Sequence, residues 1–176
     1  MEKILIVVDM QNDFVDGALG TKEAVGIVEK VASKIEGFDG RIFATLDTHE
    51  QNYLETAEGR KLPVPHCIRG TEGWNINGKV LAALQERGYT AVEKGTFGSV
   101  ELAGIIGGIV GEGNHEVTVE LVGLCTDICV VSNALLLKAH FPELNIAVDG
   151  GCCAGVTPGT HEAALETMKM CQIDVL

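Results

Sequence analysis

"ELVGLCTDICVVSNALLLKAH", Glu120 to His140, runs from an apolar β-like segment through a short polar turn into a stretch of helical period. A strand that feeds directly into a helix is half of a βαβ unit, so this segment sets the frame for the chain. Thr126 or Asp127 is a good N-cap for the helix that continues through "ICVVSNALLLKAH". Cys129 then falls in the first helical turn, where backbone N–H groups and the helix dipole favour a thiolate. Cys125 precedes the cap and sits in the strand-end turn, outside that environment.

Outward from this unit, short β-branched runs alternate with longer helical patterns. The strands are expected at 3–9, 41–47, 90–94, 117–123 and 145–150. Helical patterns cover 22–36, 76–87, 99–110, 127–140 and 160–172. Runs that are apolar on both faces suit strands covered on both sides. The alternation predicts a three-layer α/β/α fold with a doubly wound, mostly parallel sheet. No internal repeat, low-complexity tract or linker interrupts it, so residues 1–176 read as a single domain. One segment breaks the pattern. From Asp47 to about Asn75 the chain has Gly, Pro, His and charges but little periodicity, and a loop of that length usually carries function.

Composition narrows the classes. The 176 residues are 46% apolar and 22% charged, with a formal net charge of -12. So acidic a chain lacks the basic footprint that nucleic acid requires. "LAGIIGGIVG" (Leu102 to Gly111) is too short to span a bilayer and reads as a buried helix. Asp9 interrupts the N-terminal apolar run before a secretory core could form, so a cytoplasmic location is expected. The cysteines at 67, 125, 129, 152, 153 and 171 include no C-x-x-C, which removes thioredoxin-type and zinc-ribbon readings. Most read as small buried hydrophobes; Cys152 and Cys153 face opposite ways if extended, and no function is assigned to them.

In an open α/β sheet, ligands bind beyond the carboxyl ends of the strands. Those ends carry Asp9, Asp47 and Lys94, and the fourth strand leads into Cys125 and Cys129. A cysteine nucleophile needs a base within hydrogen-bond reach. Asp9 can supply it, with Lys94 steadying the charge on both. Asp47 and His49, two apart in "DTH", can turn toward one point, and His66 closes the long loop back. Two imidazoles and a carboxylate suit Zn²⁺, or iron or manganese. His115, His140 and His161 are read as structural.

With these residues in place, the chain resembles the isochorismatase-like cysteine hydrolases, and within them the nicotinamidase group. "VVDMQNDF" is similar to the family's opening motif, with Asp9 as general base and Phe14 lining the pocket. "KGTFGS" resembles the segment that carries the family lysine, Lys94, with Phe97 bordering the substrate. "GLCTDICV" is similar to the nucleophile motif, whose cysteine is Cys129. The resemblance implies a cis peptide between Leu124 and Cys125, with the N–H groups of Cys125 and Cys129 forming an oxyanion hole. It also implies one divalent metal on Asp47, His49 and His66. The fourth ligand is expected to be Glu58, with Glu55 or water as alternatives. No organic cofactor is implied.

The function so implied is hydrolysis of nicotinamide to nicotinate and ammonia through a thioester. The partner is a small amide, and the assembly a homodimer or homotetramer. The nearest rival is another amide, carbamoyl or ureido hydrolase of the superfamily. A receiver-like module would need an acidic pair after strand one, where Asp9 is followed by Met10. A dinucleotide-binding domain would need G-x-G-x-x-G there, which "DMQNDFVDG" does not offer.

Overall fold

The computed structural model describes residues 2–111 and 116–176; His115 lies outside them. Six parallel strands lie in the order β3-β2-β1-β4-β5-β6. They are β1 (Glu2–Val8), β2 (Arg41–Asp47), β3 (Thr90–Lys94), β4 (Val117–Leu124), β5 (Asn145–Ala154) and β6 (Asp174–Val175). The helices are α1 (Asn12–Val15), α2 (Lys22–Gly37), α3 (Ala57–Lys61), α4 (Gly78–Arg87), α5 (Val100–Val110), α6 (Val131–His140) and α7 (Pro158–Met170).

The central strand shows why both faces read as apolar. Ile4, Ile6 and Val8 of β1 join one core with Leu102, Ile106 and Leu137 of α5 and α6. Leu5 and Val7, pointing the other way, join a second core with Ile27, Val31 and Leu84 of α2 and α4. Each face is therefore sealed by helices, and the three-layer architecture follows. The strand order reverses between β1 and β4, and such a switch point opens a crevice beyond the strand ends.

Several local expectations shift. β1 ends at Val8, and Asp9 lies beyond it at a φ of 46°. β5 runs on to Ala154 because its register against β4 slips between Leu121 and Gly123, a bulge that takes in Gly150 and Gly151. That extension holds Cys152 in one core and Cys153 in the other. The two-residue β6 was not anticipated. The apolar stretch at 102–111 forms α5, buried along Leu102, Ala103, Ile106 and Val110 but not all round. Among the described residues no helix is long and apolar enough to cross a membrane.

The aperiodic segment after β2 is held by side chains of the first motif. Gln11, fully buried, accepts from the Asp47 N–H at 2.8 Å and donates to the carbonyls of Asp47 and Trp74 at 2.8 Å each. Asn12 donates to the Glu72 carbonyl, and Asp13 accepts from the Cys67 N–H at 2.8 Å.

Gly123 is a tight point beneath the site. Its φ is +115°, and a Cβ there would lie 2.2 Å from the Val8 carbonyl oxygen. Gly123→Ala is expected to destabilise the fold by more than about 2 kcal/mol through combined strain and overlap. Denaturant unfolding measures this; a loss below about 0.5 kcal/mol would mean that β1 yields without cost.

Candidate active site

Asp9, Lys94 and Cys129 meet at the switch point, all nearly inaccessible to solvent. The Lys94 ammonium lies 2.6 Å from Asp9 Oδ2 and 3.4 Å from Cys129 Sγ, and it donates to the Thr96 carbonyl at 3.1 Å. Thr45 of β2 donates its hydroxyl to Asp9 Oδ1 at 2.6 Å. Burial raises the Asp9 carboxyl above the ordinary carboxylate range against the pull of Lys94. Burial and the Asp9 charge also push the Cys129 thiol well above its ordinary value, while Lys94 works in the other direction.

That overturns the thiolate expected from the helix dipole. The turn after β4 is a π turn, Thr126–Val130, with Cys125 at its N-cap position and no side-chain cap. Neither Thr126 nor Asp127 caps it: Thr126 bonds His161, and Asp127 accepts from the Val156 N–H. Desolvation outweighs the dipole and pushes the Cys129 thiol up rather than down.

The peptide between Leu124 and Cys125 is cis. The Cys125 carbonyl accepts from the N–H groups of Ile128 and Val130 at 3.1 and 3.0 Å, which folds the turn back beneath its own start. Burial and the nearby carboxylates push the Cys125 thiol up to about 12. Asn133, buried on α6, donates to the carbonyls of Cys129 and Phe97 and accepts from the Ser99 N–H. One amide thus ties the turn that carries Cys129 to the start of α5.

Beside this group, one ligand atom from each of Asp47, His49, Glu58 and His66 lies within 4.8 Å of the others. Asp47 Oδ2 is 2.9 Å from His49 Nε2 and 3.4 Å from His66 Nε2. Glu58 Oε1 is 3.7 and 3.6 Å from the same nitrogens. Four ligands around a tetrahedral ion at about 2.1 Å lie about 3.4 Å apart, so the set fits such an ion closely. His66 Nδ1 is engaged by the Val64 carbonyl at 2.8 Å, which leaves Nε2 free to face the cluster. Formal charge agrees: with both imidazoles neutral, as metal binding requires, ionised Asp9, Asp47 and Glu58 against Lys94 sum to two negative charges, the balance a dication supplies. Glu58, on α3, occupies the fourth position. Glu55 does not join the cluster; its short 3₁₀ turn precedes α3.

Burial alone would raise Asp47, but hydrogen bonds from His49 and His66 and the Lys94 charge hold its carboxyl far below the usual range. Burial works against a charged His66, yet Asp47, the Val64 carbonyl and Glu58 raise it above the ordinary imidazole value.

Cys129 and the four-residue cluster line one cavity of about 600 Å³, with Asp9 and Lys94 outside its lining. Its walls include Phe14, Leu19, Leu62, Phe97 and Ile128. Phe14 is buried with its ring 5.4 Å from that of His66, while Phe97 stands partly exposed at 44%. Gln11, Asp13, Asn133 and His161 are the polar residues that the sequence reading left without a part. For Gln11 and Asp13 a signal existed: both lie in the opening motif beside Asp9.

A family model, the isochorismatase domain, matches residues 3–176. The chain is 30% identical over 175 residues to an uncharacterized isochorismatase family protein, PncA of Bacillus subtilis, spanning 94% of this chain and 93% of that one. It is 28% identical over 187 residues to the nicotinamidase/pyrazinamidase of Mycobacterium tuberculosis, spanning 99% and 98%. The crystal structure of nicotinamidase/pyrazinamidase PncA from Bacillus subtilis matches with a TM-score of 0.85 at 25% identity, over 99% of each chain. Pyrazinamidase of Pyrococcus horikoshii in complex with zinc matches at 0.77 and 28%, over 100% and 99%. The chain belongs to the isochorismatase family.

Asp47→Asn and His66→Ala are each expected to weaken Zn²⁺ binding by more than about 100-fold, beyond the 10–100-fold typical of changes to outer-shell partners. Affinity is also expected to fall on acidification, starting above the ordinary imidazole range, because His66 must be neutral to bind and holds its proton to higher pH. Chelator competition across pH measures both; unchanged affinity in the two variants would rule the cluster out as the metal site.

Proposed function

We propose that this chain is a cysteine-dependent amidohydrolase that converts nicotinamide and water to nicotinate and ammonia. What carries the reading is one apolar-walled cavity lined both by Cys129, which the buried Asp9–Lys94 pair contacts from outside the lining, and by the four-residue metal cluster. A small aromatic amide has two chemically distinct ends, a carboxamide and a ring nitrogen, and the cavity offers one group for each. Likeness to the nicotinamidase/pyrazinamidase of Mycobacterium tuberculosis supports the substrate class.

In this mechanism Asp9 takes the Cys129 proton as sulfur attacks the amide carbon. The raised Asp9 carboxyl makes it a stronger base than an ordinary carboxylate, and transfer at the moment of attack suits a thiol whose ionisation burial disfavours. The oxyanion is met by the N–H groups of Cys125 and Cys129, donors worth about 3 kcal/mol each where measured. Cys125 thus contributes main chain rather than sulfur. Asp9 returns the proton to departing ammonia, and water, deprotonated by Asp9, opens the thioester. Lys94 remains charged and holds Asp9 in place.

Asp47, His49, Glu58 and His66 would hold one divalent ion, zinc by ligand type, and the chemistry it would supply is Lewis-acid orientation of the ring nitrogen. Phe14 and Phe97 border the ring. The working unit in this reading is a single-domain subunit of a homodimer or homotetramer, since α5 presents Val100, Gly104 and Gly108 outward.

Ammonia release from nicotinamide tests the assignment. Cys129→Ala and Asp9→Asn are expected to lose more than about 1,000-fold in kcat, whereas Cys125→Ala keeps activity within about 10-fold. Loss confined to Cys125→Ala would reverse the nucleophile, and turnover of another amide but not of nicotinamide by metal-loaded enzyme would reverse the substrate. The acid limb of kcat/KM is expected above the ordinary carboxylate range, since lowering pH protonates Asp9 and removes the base. A limb at the ordinary value in a pH–rate profile would contradict that role.

A further inference from the structure

His161 stands on the second turn of α7, far in sequence from every residue of the mechanism, yet its Nδ1 lies 2.7 Å from the Thr126 hydroxyl. Thr126 is fully buried and follows Cys125 directly, between the two N–H groups assigned to the oxyanion. The π turn that carries those groups has no side-chain cap of its own. Its orientation is instead fixed from the neighbouring β5–α7 connection. There the Val156 N–H donates to both Asp127 oxygens, at 3.2 and 3.1 Å, and His161 holds Thr126.

The connection folds tightly onto the start of α7. A Cβ at Gly155, which leads into α7, would lie 2.9 Å from the His161 backbone nitrogen and Cβ. The His161 side chain is mostly shielded, and its Nε2 reaches no nearer than 3.9 Å to the Glu162 carboxylate. The Thr126 bond is therefore the short polar contact of this ring. Neither the ring nor the hydroxyl lines the cavity.

We propose that His161 is a positioning residue: through Thr126 it sets the aim of the Cys125 and Cys129 N–H groups at the oxyanion. The inference rests on the cysteine-hydrolase reading and not on the identity of the amide. An oxyanion hole works by donors fixed in advance, and a displacement on the order of 1 Å can cost about 100-fold. Loosening the turn affects the transition state, where the oxygen carries charge, more than the ground-state amide.

The test compares His161→Leu, His161→Asn, Thr126→Val and the Leu/Val double variant in the full-length, zinc-loaded protein. Steady-state ammonia release is paired with the affinity for pyridine-3-carbaldehyde. That aldehyde adds to the thiol: a Sγ–C bond forms, the carbonyl π electrons move onto the oxygen as an alkoxide, and the thiol proton stays on Asp9. The alkylation rate of Cys129 by iodoacetamide, which forms no oxyanion, serves as the control.

His161→Leu and Thr126→Val are each expected to lower kcat by about 10–100-fold with KM within about 2-fold, and to weaken aldehyde binding in parallel. Alkylation stays at the wild-type rate. His161→Asn, whose amide can take the place of Nδ1, returns kcat to within about 3-fold, and the double variant is no worse than the poorer single one.

A folded His161→Leu protein with wild-type kcat and aldehyde affinity would overturn the proposal, as would losses that multiply in the double variant. If His161→Leu does not fold, Thr126→Val decides by the same criteria. Should wild-type enzyme release no ammonia from nicotinamide, the substrate reading fails and benzaldehyde affinity decides on His161. Failure of wild-type Cys129 to form any aldehyde adduct would sink the proposal together with the cysteine mechanism.

Discussion

The ion pair between Lys94 and Asp9, 2.6 Å long and almost wholly buried, is the constraint on which the rest of the site depends. Two charges removed from water persist only when each compensates the other with good geometry. Burial works against the Lys94 ammonium, but Asp9 and Asp47 hold it charged. Asp47 Oδ1 lies 3.7 Å from the same nitrogen, while its Oδ2 faces the two imidazoles. One lysine at the end of β3 thus stands between the sulfur group and the metal cluster. The sheet makes this possible, because β1, β2 and β3 lie side by side and deliver Asp9, Asp47 and Lys94 to one edge.

Order in the long segment after β2 has a different origin from the one its sequence suggests. A metal bridging Asp47, His49 and His66 would account for a stable aperiodic loop. The structure gives the task first to Gln11, Asn12 and Asp13, whose side chains bond backbone groups at Asp47, Cys67, Glu72 and Trp74. A buried loop backbone needs such partners whatever ion is bound. The opening motif therefore does two jobs: its first aspartate faces the sulfur, and the next polar residues anchor the loop that carries His66.

Much of this was legible in the sequence, and the reasons are physical. Strand and helix periods differ, so the alternation and the layered architecture could be read directly. Asp9, Asp47, Lys94 and Cys129 stood out because a parallel sheet gathers its strand ends on one side. What stayed hidden depends on contacts between distant segments. Asn133 looks like a mid-helix amide until Ser99 and Phe97 approach it, and His161 looks like a surface histidine until Thr126 does. The state of Cys129 was misread for the same reason: a dipole can be placed from sequence, whereas the depth of burial that overrides it cannot. The slip of β5 likewise needed the strand beside it.

The resting state of that thiol bears on chemistry other than hydrolysis. Peroxides and disulfides react with thiolates, at a rate set by ionisation and access. Cys129 is 4% exposed, and burial pushes its thiol and that of Cys125, four residues away in the same cavity, upward. Burial thus disfavours the ionised sulfur that oxidants attack. A lone accessible thiolate would carry no such protection from oxidation to sulfenic acid.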